Sequence, residues 1–180
     1  MKKQIALLGV LCLGLSLVAT QAYGQADKSK RPSPPAKAEC TLSAGKTITV
    51  DYSSPRAKGR KIFGGLVPFG QVWRAGANEA TTFVTTEDLE VGGKDVSAGN
   101  YTMFTIPEEH QWTLIISKKT GEWGIPYPGE KFDFVRTNMS VSSVPEHVED
   151  FTIAFEKEGD GCKMTMTWEK TQASVNIKKK

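Results

Sequence analysis

From Cys40 to Ile177 the apolar residues recur at every second position, and that period confines the chain to half-buried β-strands. Ile48, Val50 and Tyr52 alternate with Thr47, Thr49 and Asp51, and Trp112, Leu114 and Ile116 share one face. The same parity returns in Phe151, Ile153 and Phe155, in Cys162, Met164, Met166 and Trp168, and in Ala173, Val175 and Ile177. Runs 80–86 and 99–106 are rich in the Thr, Phe, Tyr and Val that strands favour. Between the runs lie hairpin signals: Val91-Gly92-Gly93-Lys94 supplies the two positive-φ positions of a primed turn, and Glu158-Gly159-Asp160-Gly161 joins two late strands. Residues 120–131 hold three glycines and two prolines and read as a loop. No apolar period of 3.6 residues persists, although a short helical turn fits Phe69–Arg74. About nine short strands with turns every 8–12 residues predict an all-β domain, a single antiparallel β-sandwich, with a closed β-barrel as the alternative.

The two ends do not belong to that pattern. Lys2 and Lys3 precede an uncharged, mostly apolar stretch from Ile5 to Val18, followed by small residues at Ala22 and Gly24. This order predicts a cleaved secretory signal over residues 1–24 and an exported, periplasmic or extracellular protein that does not span the membrane after cleavage. The stretch is shorter than the ~20 residues of a spanning helix. Residues 25–39, with three prolines and four basic side chains, read as a disordered spacer, so the domain is placed at 40–180, ending in a basic tail.

Removing the ends changes the sense of the charge. The whole chain carries a formal +3, but nine of its 23 Lys and Arg lie in the leader, the spacer and Lys178–Lys180. Residues 40–177 keep 14 of them against 18 Asp and Glu, a net −4, so the basic charge comes from the ends, does not argue for a nucleic-acid surface, and no nucleic-acid partner is expected. Loss of the leader takes Cys12 with it and leaves Cys40 and Cys162. In an oxidising compartment an even pair predicts a disulfide, and two separate buried thiols are the alternative.

The densest chemistry lies in residues 52–82, YSSPRAKGRKIFGGLVPFGQVWRAGANEATT, with five glycines and two prolines. Arg56, Arg60 and Arg74 in this loop suit the bidentate recognition of carboxylate, phosphate or sulfate, with Asn78 and Glu79 to orient a ligand and Trp73 to offer a stacking face. The same side chains would equally serve as internal braces, a buried Arg–Glu pair satisfying loop carbonyls while Trp73 packs. A second functional reading makes Glu79 a general base beside Arg74 in a hydrolase-like enzyme. A third is an architectural subunit that contacts an envelope protein through its edge strands. Trp123 and Tyr127 form a weaker candidate for a carbohydrate platform. His110 and His147 are too isolated for a metal site, no HExxH, GxSxG or phosphate-loop motif occurs, and nothing calls for a cofactor. Asp133 and Arg136, three apart in a strand, are expected on opposite faces and unpaired.

The runs GRKIFGGLVPFGQVWRAGANEATT, VGGKDVSAGNYTMFTIP and QWTLIISK resemble the bacterial secreted family catalogued as domain of unknown function 2911. The resemblance covers most of residues 46–177 and is most specific between Gly59 and Thr82, with Ala75 departing from an expected Thr. It implies an exported β-rich domain of unassigned activity and carries no catalytic residue to any position of this chain.

Overall fold

The alternation is realised as nine antiparallel strands in a computed structural model that describes residues 27–180. The leader therefore lies outside the described residues. The strands are β1 (Pro35–Thr41), β2 (Thr47–Ser53), β3 (Thr82–Thr85), β4 (Leu89–Val91), β5 (Lys94–Val96), β6 (Gly99–Ile106), β7 (Gln111–Ser117), β8 (Asp133–Glu158) and β9 (Gly161–Lys179). They form one sheet in the order β1-β2-β3-β6-β7-β8-β9-β4-β5. Its edges, β1 and β5, are not paired with each other, so the sheet is not closed into a barrel.

The two layers expected of a sandwich are parts of this single sheet, folded over through its longest strands. The first part of β8 pairs with β7 from Asp133 to Ser140, while its far end pairs with β9 from Thr152 to Glu158. Between these stretches the β8–β9 register shifts twice, between Ser143 and Thr152. Register shifts of this kind bend and twist a strand, and here the bend carries the hairpin end over β1 and β2. There the Tyr52 hydroxyl accepts the Ile153 amide at 3.0 Å, and Ser54 Oγ donates to the Phe151 carbonyl at 2.7 Å. The Cys40–Cys162 disulfide joins β1 to β9 with a Cα–Cα separation of 6.6 Å.

Both glycine turns form as the sequence indicates. Gly92 and Gly93 have φ of 54° and 78° between β4 and β5, and Gly159 has φ 57° between β8 and β9. The inward residues of the alternating runs, among them Ile48, Val50, Trp112, Leu114, Phe151, Met164 and Trp168, make up the buried core.

Three expectations are corrected. Residues 35–39 are not spacer: they pair with β2 from Pro35 opposite Ser53 to Glu39 opposite Thr49, and Ala38 is buried. Small residues with little apolar area of their own become ordered here because β2 supplies a ladder and Cys40 a covalent anchor. The segment ahead of them, Lys28–Lys30, forms a 3-10 turn capped by Asp27. No helical turn forms at Phe69–Arg74, because Trp73 exchanges backbone hydrogen bonds with Thr105 at 2.7 and 2.8 Å. Asp133 and Arg136 do pair, Nε to Oδ2 at 2.6 Å. Asp133 follows a 3-10 turn and sits at the register shift between Ile116 and Ser117, so the alternation of faces fails at that point.

The disulfide closes a sequence separation of 122 residues, a loop long enough for the crosslink to contribute about 2–5 kcal/mol. Reduction, or replacement of both cysteines by alanine, is expected to lower the urea midpoint accordingly. An unchanged midpoint would mean that the sheet alone holds the layers together.

Candidate functional site

The long connection from β2 to β3 crosses the end of the folded sheet and is anchored by Trp73. Its indole stacks on Trp168 with ring centroids 6.0 Å apart and planes 19° apart. Phe63, Trp112 and Phe151 meet it in edge or T-shaped contacts. Its Nε1 donates to the Gly76 carbonyl at 3.1 Å. Beside this anchor lies a cleft of about 370 Å³, whose charged lining side chains are Arg60 and Arg74.

Arg74 is held under the loop of residues 120–131. The Ala80 amide donates to the Glu122 carbonyl at 3.1 Å, and Gly124 lies directly on the Arg74 stem. A Cβ at position 124 would stand 3.0 Å from Arg74 Cβ and 2.9 Å from Ala80 Cβ, and φ there is 86°, so only glycine fits. Arg74 Nε and Nη1 are buried and have no hydrogen-bond acceptor among the described residues. Burial lowers the guanidinium pKa from its ordinary value, yet arginine remains charged in proteins. Thr105 Oγ1 and Trp112 Nε1 are the other buried side-chain atoms without partners among the described residues, and neither is charged.

The chain's other arginines are all engaged. Arg56 Nε meets Asp150 Oδ1 at 2.8 Å, and its Nη1 donates to the Ser54 carbonyl and hydroxyl at 2.7 Å each. Arg60 donates from Nε to the Ala57 carbonyl at 2.9 Å and from Nη2 to the Arg56 carbonyl at 2.6 Å, which fixes it along the cleft. Arg31 Nη1 spans both oxygens of Glu79 at 3.0 and 2.8 Å. Arg136 binds Asp133 and, at 3.1 Å, Glu130.

Of the six residues singled out in the sequence, Arg60, Trp73 and Arg74 converge on the cleft. Arg56, Asn78 and Glu79 do not line it. Asn78 Nδ2 donates to the Ser33 carbonyl at 2.9 Å, and Glu79 pairs with Arg31 and with Lys28 Nζ at 3.0 Å. Both residues therefore fasten the segment ahead of β1, and Ser33 of that segment forms part of the cleft wall. The arrangement of Glu79 beside Arg74 is not formed. Tyr127 is likewise an anchor: its ring meets Phe104 edge-on, and its hydroxyl bonds Asp133 and Arg136. Burial and the Asp133 carboxylate push its pKa up to about 12.

Sequence reasoning missed Leu66, Trp168 and Ile125 in the lining. Ile125 had one available signal, a large apolar residue within a Gly/Pro loop, where exposure needs a reason. Leu66 sits in a tight turn whose amides at Leu66 and Val67 donate to the Lys61 and Ile62 carbonyls.

A single antiparallel sheet folded on itself into two layers, with one uncompensated arginine in a crossing-loop cleft, defines an all-β domain with a candidate anion site. Residues 33–177 match the family described as protein of unknown function DUF2911, and the chain belongs to that family. No curated protein and no solved structure matches it. Among the described residues no helix is long and apolar enough to cross a membrane.

Glu79 gives the site a pH signature. Its own backbone amide, then Lys28 and Arg31, lower its pKa from 4.5 to about 2. A carboxyl that titrates lower when folded stabilises the fold fully above its unfolded pKa and loses that contribution as pH falls towards the folded one. Because the pair is partly exposed, about 1 kcal/mol or less is at stake. Glu79→Gln is thus expected to melt lower than wild type at pH 7, with the gap closing between pH 4.5 and 2. A gap independent of pH would assign Glu79 a purely steric role.

Proposed function

We propose that the domain is an exported binding module and that its cleft takes an anionic ligand on Arg74. The observation that carries this reading is the Arg74 guanidinium, with two buried nitrogens lacking acceptors in a cleft lined by no carboxylate. A buried donor left unpaired costs about 1–3 kcal/mol, and more when charged. Arg74 Nη2 is not among the buried atoms and makes no hydrogen bond within the described residues, so an anion in the cleft meets the guanidinium there, through a charge-assisted hydrogen bond roughly twice as strong as a neutral one. Export is supported by the leader pattern in the sequence and by the Cys40–Cys162 disulfide, a crosslink that suits an oxidising compartment. The enzymatic alternative, Glu79 as a base beside Arg74, draws no support from a carboxylate paired with Arg31 and Lys28.

A binding arginine and a bracing arginine respond oppositely to substitution. Replacing an uncompensated buried charge by a side chain of similar length without charge removes a desolvation cost. Arg74→Met is therefore expected to raise the stability of the ligand-free domain by about 1 kcal/mol, roughly 2–4 °C in melting temperature. The same variant is expected to lose at least about tenfold in affinity for acetate and inorganic phosphate by calorimetric titration, equivalent to ~1.4 kcal/mol. A lower melting temperature together with unchanged anion affinity would make Arg74 a structural brace and end this reading.

A further inference from the structure

The cleft also indicates what kind of anion it takes. We infer, resting on the anion-site reading above, that the ligand is a medium-chain alkanoate. Its carboxylate lies on Arg74 and its unbranched aliphatic body runs along Leu66, Val67, Pro55, Ala77 and Ile125.

Three observations converge on an aliphatic body. Apart from the two arginines and Ser33, the lining consists of apolar residues, glycine and tryptophan. Leu66 and Ile125, 48% and 66% exposed, are two of the three exposed large hydrophobic residues among those described. The third, Trp123 at 54%, lies two residues from Ile125 on the same loop. Single exposed apolar residues are ordinary, whereas Leu66 and Ile125 together in the lining of a polar-anchored cleft mark a surface that is covered in use.

The two tryptophans in the cleft lining are committed to the core cluster, which argues against the sugar stacking that Trp73 suggested from sequence. Trp73 is stacked on Trp168 and contacted by Phe63, Trp112 and Phe151, with its N–H given to Gly76. Trp168 is buried and donates its N–H to the Glu149 carbonyl at 3.0 Å. Trp168 is thus closed to a pyranose, and one face of Trp73 is taken by Trp168. The lining also lacks the Asp, Glu, Asn or Gln side chains that would pair with several hydroxyls.

Size and charge narrow the class further. A volume of about 370 Å³ holds roughly a dozen groups the size of water, at ~30 Å³ each. Decanoate, with ten carbons and two oxygens, matches that number of groups. Arg60 spends its Nε and Nη2 on backbone carbonyls, so Arg74 is the main unsatisfied cation and matches one negative charge better than a phosphate dianion.

The test is a calorimetric titration of the whole domain with acetate, hexanoate, octanoate and decanoate below their micellar concentrations, alongside decanol, glucose and inorganic phosphate. Affinity is expected to rise roughly two- to fourfold per added methylene up to decanoate. Decanol is expected to bind at least about tenfold more weakly than decanoate, and glucose not at all. Arg74→Gln should weaken decanoate about tenfold or more, and Leu66→Ser and Ile125→Ser about threefold each. The rim variants stand at exposed positions and keep the test valid if the Arg74 variant does not fold. Arg74-dependent binding of acetate or phosphate as tight as that of decanoate would overturn the alkanoate assignment and leave the anion site standing. Glucose binding at the strength of decanoate, or rim variants without effect, would overturn it in the same way. Decanoate binding indifferent to Arg74→Gln would overturn both.

Discussion

The aromatic cluster around Trp73 is the contact on which the rest of this end of the molecule depends. The connection from β2 to β3 is long, rich in glycine and without a ladder of its own, so an unanchored version would sample many paths. Trp73 removes that freedom at one point. Its backbone pairs with Thr105 of β6, while its ring enters a nest of Phe63, Trp112, Phe151 and Trp168 contributed by the loop itself, β7, β8 and β9. Aromatic pairs of this kind are worth about 0.5–1.5 kcal/mol each beyond their buried area. The cluster therefore ties the loop to both layers of the folded sheet at once. Because Arg74 follows Trp73 directly, it is delivered to a fixed position under Gly124, and its stem has no room to swing away.

Charge distribution around the cleft then follows from pairing. Several carboxylates close to the crossing loop are taken: Asp150 by Arg56, Glu79 by Arg31 and Lys28, and Glu149 by the Lys58 amide. The Glu169 carboxylate accepts the Ile62 amide at 3.0 Å. The first two are ion pairs between side chains and the last two fasten backbone amides, and none is made with Arg74. Among the described residues, Arg74 is thereby left as a cation without a carboxylate partner in an apolar recess. Stability alone does not favour such an arrangement, and the proposed anion site would account for it as a trade between stability and recognition.

Much of the fold was legible because strand faces are written locally. Alternation at Ile48–Tyr52, Trp112–Ile116 and Met164–Trp168 carries its own parity, and the glycine pairs mark the reversals. Pro35–Thr41 was not legible, since Pro, Ala and Lys show no strand preference and become ordered only against β2. The pairing of Asp133 with Arg136 was hidden by a register shift that sequence periodicity cannot display. At the site, the loop and three of its six candidate residues were recognisable from composition. The partner of Glu79 was not, because Arg31 lies 48 positions away in a segment read as spacer. Nor could sequence say that Ile125 and Leu66 border the same recess, a relation created by the path of two loops.

The most direct measurement is an NMR titration of the arginine side-chain Nε–H signals with decanoate. Arg74 should show the largest shift and slowed solvent exchange on saturation, while Arg56, already bonded to Asp150, stays in place. A titration in which Arg74 does not move while another arginine does would contradict the assignment of the cleft.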